Sequence, residues 1–166
     1  MPENPHFESV PSWHAAAEKL NFKPLVPGKN FRHKLKSLSI HVRDHKMRQL
    51  PIGERSLEAY FGFFMFSQAQ RADADEARRQ TVEVPYGRFG QEALIAGHVG
   101  RVYELGPEPP ADDIDERSPS VVVWHDGSIF YMLASYELPS IDLVRIASSF
   151  YGRSTGTSKG RSRRGS

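Results

Sequence analysis

The chain has 166 residues, of which 39% are hydrophobic and 25% are charged, values that are typical of one globular domain and exclude wholesale disorder. It contains no cysteine, which excludes disulfide bonds, thiol nucleophiles and thiolate metal sites. The net charge of +2 is unevenly distributed, because segment 152–166 holds five of the 22 basic residues and no acid. The rest of the chain is mildly acidic, with 17 basic against 20 acidic residues.

The N-terminal part of the chain predicts an irregular arm, a short helix and two strands. Three prolines in residues 1–11 favour an arm without regular structure. Ser12 is a suitable N-cap for a helix over 13–20, which contains three consecutive alanines. Apolar and polar residues alternate over 37–43, which predicts a strand with one solvent-exposed face. The run 59–66 is apolar at both parities, which predicts a central strand covered on both sides.

The middle of the chain predicts short elements separated by turns. The polar segment 73–80 predicts a turn of surface helix. Three short strands are predicted after it, at 81–84, 92–96 and 101–105, with a hairpin connection between the last two. The following segment, 106–119, contains four prolines and five acids and is predicted to be a loop.

The last third contains the clearest pattern, a β-hairpin followed by an amphipathic helix. The apolar runs 121–124 and 129–133 flank the dipeptide Asp126-Gly127, which favours a type I′ turn because both central positions of that turn need positive φ. Ser140 is the predicted N-cap of the final helix. The apolar stripe of that helix consists of Leu143, Ile146, Ala147 and Phe150.

These elements predict an α+β fold. Its antiparallel sheet would have five to seven strands, with an N-terminal and a C-terminal helix packed on it, because consecutive strands are joined by short turns. The predicted organisation is an irregular arm at 1–11, a single α+β domain at 12–151 and a disordered basic tail at 152–166.

The closing hairpin carries more apolar residues than one core face requires. Pairing through its Asp-Gly turn places Val123 opposite Phe130 on one face and Trp124 opposite Ile129 on the other. Two short helices cover one face of such a sheet, so the second face needs loops, a second subunit, a protein partner or an apolar small molecule. We therefore predict a noncatalytic binding or regulatory domain. The residues predicted to line its binding face are Trp124, Tyr131, Val122 and Ile129.

No constellation of residues in the sequence indicates catalysis or a metal centre. His41 and His45 would share a face of a continuous strand, but no third ligand is identifiable, whereas zinc sites use three or four convergent ligands. Neither Ser135 nor the His125-Asp126 pair belongs to a nucleophile elbow. The sequence therefore predicts a protein that is not an enzyme, with no catalytic residues, no metal ligands and no cofactor.

An alternative interpretation is a nucleic-acid-associated protein. The strip Lys29–Arg48 contains seven basic residues against one acid, Asp44. The cations of the basic tail are interspersed with glycine and serine, which suits weak, salt-sensitive contacts with phosphate. No aromatic residue accompanies them to stack on bases. These predicted polyanion-binding residues are Arg153, Lys159, Arg161, Arg163 and Arg164.

Segment 15–27 near one end of the chain and segments 123–135 and 143–150 near the other together resemble a bacterial domain of unknown function that is found in extracytoplasmic parts of anti-sigma-factor-like and lipoprotein-like proteins. The first resembling segment is AAAEKLNFKPLVP at 15–27. The second comprises a Trp-turn-Tyr hairpin, VWHDGSIFYMLAS at 123–135, and the helix LVRIASSF at 143–150. The resemblance implies a noncatalytic sensing or binding module, with a sheet wrapped by helices, and it brings no functional residues with it.

The sequence also bears on cellular location. The N-terminus has no basic region followed by an apolar run, which excludes a signal peptide in the chain as written. No apolar stretch reaches the roughly 18 residues of a membrane span. We therefore expect a cytoplasmic location, with an envelope location as the alternative if the chain is part of a longer protein.

Overall fold

The computed structural model describes residues 4–28, 31, 34–82, 90–104 and 119–151. Within them, eight strands form one antiparallel sheet in the order β1-β2-β3-β4-β8-β7-β6-β5. The strands are β1 (Phe7–Ser9), β2 (Ser37–His41), β3 (Ser56–Tyr60), β4 (Met65–Gln70), β5 (Gln91–Ile95), β6 (His98–Tyr103), β7 (Ser120–Asp126) and β8 (Ile129–Ser135). The described helices are α1 (Trp13–Glu18), α2 (Ala74–Val82), α3 (Ser140–Ser149) and a 3-10 turn at Ile52–Glu54. None of them is long and apolar enough to cross a membrane.

The predicted α+β fold with an antiparallel sheet is confirmed, although eight strands exceed the predicted five to seven. The predicted single strand over 59–66 is wrong, because a turn at 61–64 separates β3 from β4. Gly62 has a φ of 91° in that turn, a conformation that glycine adopts without steric strain. Phe61 and Phe64 are buried, and their rings stack 4.7 Å apart. The unbroken apolar run therefore marks a buried turn between two strands.

Two more segments adopt structures that differ from the expected ones. Phe7–Ser9, within the segment predicted to be irregular, pairs with β2 as an edge strand. The predicted strand at 81–84 is wrong where the structure describes it, because Thr81 and Val82 end α2, and the rest of that segment lies outside the described residues. The buried Thr81 hydroxyl donates to the carbonyl oxygen of Ala77 at 2.9 Å. This hydrogen bond lets a β-branched residue end the helix with its hydroxyl satisfied.

The closing hairpin forms as predicted, but its turn lies one residue further along the chain. Gly127 and Ser128 occupy the turn, so Trp124 pairs with Tyr131 and not with Ile129. Gly127 has a φ of 58° and Ser128 has a negative φ, as in a type II′ turn, which places glycine first. Moving the turn by one residue changes each cross-strand partner by two residues. Because side chains alternate between faces, every side chain of the hairpin therefore keeps its predicted face.

Backbone geometry also moves two other predicted boundaries. The β5–β6 hairpin turns at Ala96 and Gly97, with φ values of 51° and 87°, and not over the predicted connection 97–100. The final helix begins at Ser140, but the predicted side-chain cap is absent at its start. The Ser140 hydroxyl donates instead to the carboxylate of Glu104, just beyond the end of β6. A tertiary hydrogen bond therefore replaces the expected local one.

The first face of the sheet, which carries Phe66, Trp124 and Leu133, forms the main core. α1 lies over β2, and α3 lies over β7 and β8, where Leu143 and Ala147 of its stripe are fully buried. The rings of Phe66 and Trp124 stack with centroids 6.0 Å apart. Side chains between α1 and β2 complete the cover, namely Phe22, Leu25, Phe31 and Leu35.

The second face is covered by a described helix at one end only. α2 contacts β6, β7 and β8, and because α3 already covers these strands from the first face, α2 lies on the second. A smaller cluster of buried side chains occupies this end, namely Tyr103, Val121, Val123 and Phe130. The second face of β1 to β4, which we call the open face, has no described helix over it.

Gly100 provides a test of the β6–β7 packing, because it pairs with Trp124 and a Cβ there would lie 2.5 Å from the carbonyl oxygen of Val123. We expect Gly100→Ala to lower the free energy of unfolding by about 1–3 kcal/mol, as overpacking against backbone does. Urea denaturation followed by circular dichroism measures the change. Gly53→Ala is the matched control, since the nearest atom to a Cβ there is 3.7 Å away. An unchanged unfolding midpoint for Gly100→Ala would contradict this packing.

Candidate functional site

Small polar side chains occupy much of the open face. In-register pairing places Glu58 of β3 between Ser39 of β2 and Ser67 of β4. Because strand residues alternate between faces, the neighbours Leu57 and Ala59 point to the first face, where they are fully buried. The strands that build the core on one side thus present hydroxyls and one carboxylate on the other.

A groove of about 450 Å³ lies where the open face meets β8. We call it the open-face groove. Its floor consists of alternate residues on three neighbouring strands, Glu58 and Tyr60 of β3, Met65 and Ser67 of β4, and Met132 and Ala134 of β8. Its walls come from the loops at the strand ends, Gly62 to Phe64, Pro119, and Ser135 to Glu137. Most of these residues are aromatic, aliphatic or methionine, so the groove offers mainly apolar contacts.

A serine at the end of β8 joins two of the loops that form the walls. The Ser135 hydroxyl donates to the carbonyl oxygen of Phe63 at 2.6 Å. Its oxygen also accepts from the backbone N–H groups of Glu137 and Leu138, each at 3.0 Å. These hydrogen bonds hold the 61–64 turn against the 135–138 segment, so contacts within the chain fix this wall of the groove.

Glu58 is the charged group on the groove floor. Partial burial raises the pKa of its carboxyl group, and the opposing effect of the nearby His41 charge is smaller. No described residue donates a hydrogen bond to this carboxylate. Glu58 also lines a second hollow of about 260 Å³, together with Phe7 and Ser39. The carboxylate therefore lies at the boundary between an apolar groove and a more polar hollow.

The structure places the sequence-predicted binding residues on the first face, opposite the groove. Val122 and Trp124 are fully buried and Tyr131 is 5% exposed, while Ile129 is half-buried against the same core. The indole N–H of Trp124 donates to the hydroxyl of Tyr151 at 2.7 Å. Burial raises the pKa of the Tyr131 hydroxyl. α3 covers these residues and α2 covers the other face of the hairpin, so a binding role for them stays a prediction.

The described histidines do not converge on a metal site. Among the residues described, no group of three His, Asp or Glu side chains could hold a metal ion. His98 Nε2 lies 3.4 Å from Asp126 Oδ2, and its ring stacks on Tyr151 with centroids 4.9 Å apart. Burial raises the pKa of Tyr151 to about 12, and its hydroxyl accepts the indole N–H of Trp124. The cluster ties the tips of two hairpins to the end of α3.

The alternative polyanion site is only partly within the described residues. The five cations predicted in the tail all lie outside them. Of the described cations in the strip Lys29–Arg48, Lys34 and Lys36 precede β2, whereas the remaining ones follow it. Arg48 Nε lies 2.9 Å from the carboxylate of Asp44. These cations are therefore divided between the two ends of β2, and nucleic-acid binding stays a prediction.

Comparison with known proteins adds no candidate function. No protein-family model matches this chain, and no curated protein is significantly similar to it. The resemblance to a bacterial extracytoplasmic domain stays a prediction.

Glu58→Gln tests the electrostatics of the groove floor. Because burial raises the pKa of Glu58 above its ordinary 4.5, the folded state binds this proton more tightly than the unfolded state does. The stabilisation that comes from this tighter proton binding by Glu58 is therefore complete below pH 4.5, and it is lost as the pH rises through the pKa of the folded state. We expect Glu58→Gln to raise the free energy of unfolding at pH 7 by less than about 1 kcal/mol, since solvent screens the charge.

Urea denaturation at pH 7 and pH 3.5 measures this effect, and the two proteins should coincide at the lower pH. Glu92→Gln, at an exposed position of β5, is the matched control and should change little at either pH. Equal stability of Glu58→Gln and the unaltered protein at both pH values would show that the carboxylate is fully solvated.

Trp124→Phe tests whether this residue serves the core or a binding site. The change removes the N–H donated to Tyr151 and part of the ring that stacks on Phe66. We expect the free energy of unfolding to fall by about 1–3 kcal/mol, measured by urea denaturation. Trp13→Phe, on the half-buried α1, is the matched control and should cost less. If Trp124→Phe were as stable as the unaltered protein but had lost ligand binding, the result would instead support the binding role that the sequence predicted for Trp124.

Proposed function

We propose that this chain is a noncatalytic binding domain that holds a small apolar molecule in the open-face groove. The observation that carries the proposal is the groove itself, about 450 Å³ in volume and lined mainly by aromatic, methionine, alanine and proline residues. Ligand pockets in proteins commonly measure about 300–1,000 Å³ and combine apolar walls with a few polar groups. The same kind of role is implied by the resemblance to an extracytoplasmic sensing or binding module.

The groove's residues suit an apolar occupant. Met65 and Met132 lie on adjacent strands of its floor, and methionine adapts its shape to varied apolar surfaces. Tyr60 and Tyr136, which also line it, are 43% and 57% exposed. Covering such apolar surface contributes about 25 cal/mol per Å² to binding. A ligand seated here would therefore gain affinity from surface that the folded chain leaves in contact with solvent.

The polar groups of the groove favour binding over catalysis. Ser67 and Ser135 supply the hydroxyls, but no described histidine lines the groove to activate them as nucleophiles. Ser135 already bonds to the backbone of Phe63 and Glu137. The two carboxylates, those of Glu58 and Glu137, can orient a ligand. These features support a domain that recognises a molecule and leaves it chemically unchanged.

Ser67→Phe tests the location of the site, because Ser67 lies half-buried on the groove floor. A phenyl ring there fills the groove, so we expect affinity for the apolar fluorophore N-phenyl-1-naphthylamine to fall about tenfold or more, equivalent to 1.4 kcal/mol. Fluorescence titration measures it. Ser9→Phe is the matched control, since Ser9 lies on the open face at the edge strand β1 and outside the groove.

Circular dichroism and thermal unfolding establish that both variants are folded. Met65→Ser serves as a second test, because it removes apolar contact without filling space, and it should weaken the fluorophore's binding severalfold. Undiminished affinity in Ser67→Phe and Met65→Ser, with both proteins folded, would place the fluorophore elsewhere and contradict the proposal.

A further inference from the structure

We propose that the ligand of the open-face groove is an organic cation with an apolar body, such as an amphipathic amine, whose charged head lies against Glu58. This inference rests on the proposed binding function and names the chemical class of ligand. Three features of the groove carry it: the sign of its charges, the situation of the Glu58 carboxylate and the aromatic rings beside it.

The charged groups that line the groove have one sign. Among its described lining residues, Glu58 and Glu137 are the ones that carry a formal charge. Two lysines lie near the rim without lining it. The Lys34 ammonium is 6.0 Å from the ring centroid of Phe63, and the side chain of Lys36 runs beside the 61–64 turn. Because the two carboxylates line the groove while the ammonium groups stand outside it, the lining itself favours a cation over an anion.

The Glu58 carboxylate is placed to receive such a cation. It lies on a central strand between Ser39 and Ser67, partly removed from water and without a described hydrogen-bond donor. A buried carboxylate left unpaired costs free energy, and an opposite charge nearby offsets that cost. A neutral apolar ligand would cover Glu58 without compensating its charge, whereas an ammonium group would pair with it.

The position of Glu58 also fixes the orientation of the ligand. Glu58 lines both the groove and the neighbouring polar hollow, so it stands at one end of the groove. The methionines Met65 and Met132 and the alanine Ala134 extend from there across β4 and β8. An amphipathic cation fits with its head at β3 and its apolar body over β4 and β8.

Aromatic rings add a second attraction for a cation. Tyr60 and Tyr136 line the same groove, and the faces of such rings attract ammonium groups. The Tyr60 hydroxyl donates to the carbonyl oxygen of Gly62 at 3.0 Å, which holds its ring against the 61–64 turn. Carboxylate and aromatic groups together distinguish an organic cation from an alcohol of the same shape.

Three probes with the same apolar body separate the possibilities: 6-phenylhexylamine, 6-phenylhexan-1-ol and 6-phenylhexanoate. NMR titration of the full chain at pH 7.5 and low salt measures their affinities. We expect the amine to bind at least about fivefold more tightly than the alcohol, and the carboxylate to bind most weakly. Glu58→Gln should reduce the amine's advantage to less than about twofold, whereas Glu92→Gln, at an exposed position of β5, should preserve it.

The outcomes separate this inference from the proposed function. Equal affinity for the amine and the alcohol, or tighter binding of the carboxylate, would overturn the cation assignment and leave an apolar groove. A preference that persists in Glu58→Gln would overturn the role of Glu58. Failure of all three probes to bind would overturn the proposed function and this inference with it.

A measurement on the unaltered protein keeps the test independent of how the variant folds. Carbon NMR of the Glu58 carboxyl group reports its pKa, which the amine should lower and the alcohol should not. The charged or titratable neighbours to account for are His41 of β2 and Glu137 beyond β8, followed in the same spectra. A Glu58 pKa that is unchanged by saturating amine would count against the assignment.

Discussion

The pairing of β4 with β8 is the interaction on which the rest of the structure depends. It joins two antiparallel meanders, β1 to β4 and β5 to β8, which are distant in sequence, through six paired positions from Met65↔Ala134 to Gln70↔Ile129. On the first face, this strand pairing places Phe66 beside Leu133, and the ring of Phe66 stacks on Trp124. Without it, each meander would lose its largest apolar neighbours, and the core would divide in two.

The pairing of β4 with β8 also forms part of the groove, on the second face of the sheet. Because side chains alternate along each strand, the register that buries Phe66 also sets Met65 and Ser67 beside Ala134 and Met132 on the open face. Core and groove are thus two faces of one strand pairing. Glu58 stands apart on this face, because partial burial raises the pKa of its carboxyl group and so disfavours the ionised form.

Patterns whose physical cause is local were readable from the sequence. The alternation over 37–43 predicted β2 and its exposed face, and Ser12 caps α1 by accepting from the backbone N–H of Ala15. The stripe of α3 is buried at Leu143 and Ala147 as its spacing predicted. The prediction of one strand over 59–66 was wrong, because an apolar turn between two strands and a strand that is buried on both faces have similar compositions. The open-face groove was not predicted, because its floor combines residues of three strands and the sequence does not show which strands pair with one another.

The sequence by itself determined the fold class, the alternation of buried and exposed residues along most strands, and the faces of the closing hairpin. These features follow from side-chain alternation within one short segment. Only the tertiary structure decided which faces are covered. α2 lies over the hairpin's second face, so the apolar surplus of Val121 and Val123 is buried, and the face without a described helix is that of β1 to β4. That outcome depends on strand order and helix placement, which arise from contacts between residues far apart in the chain.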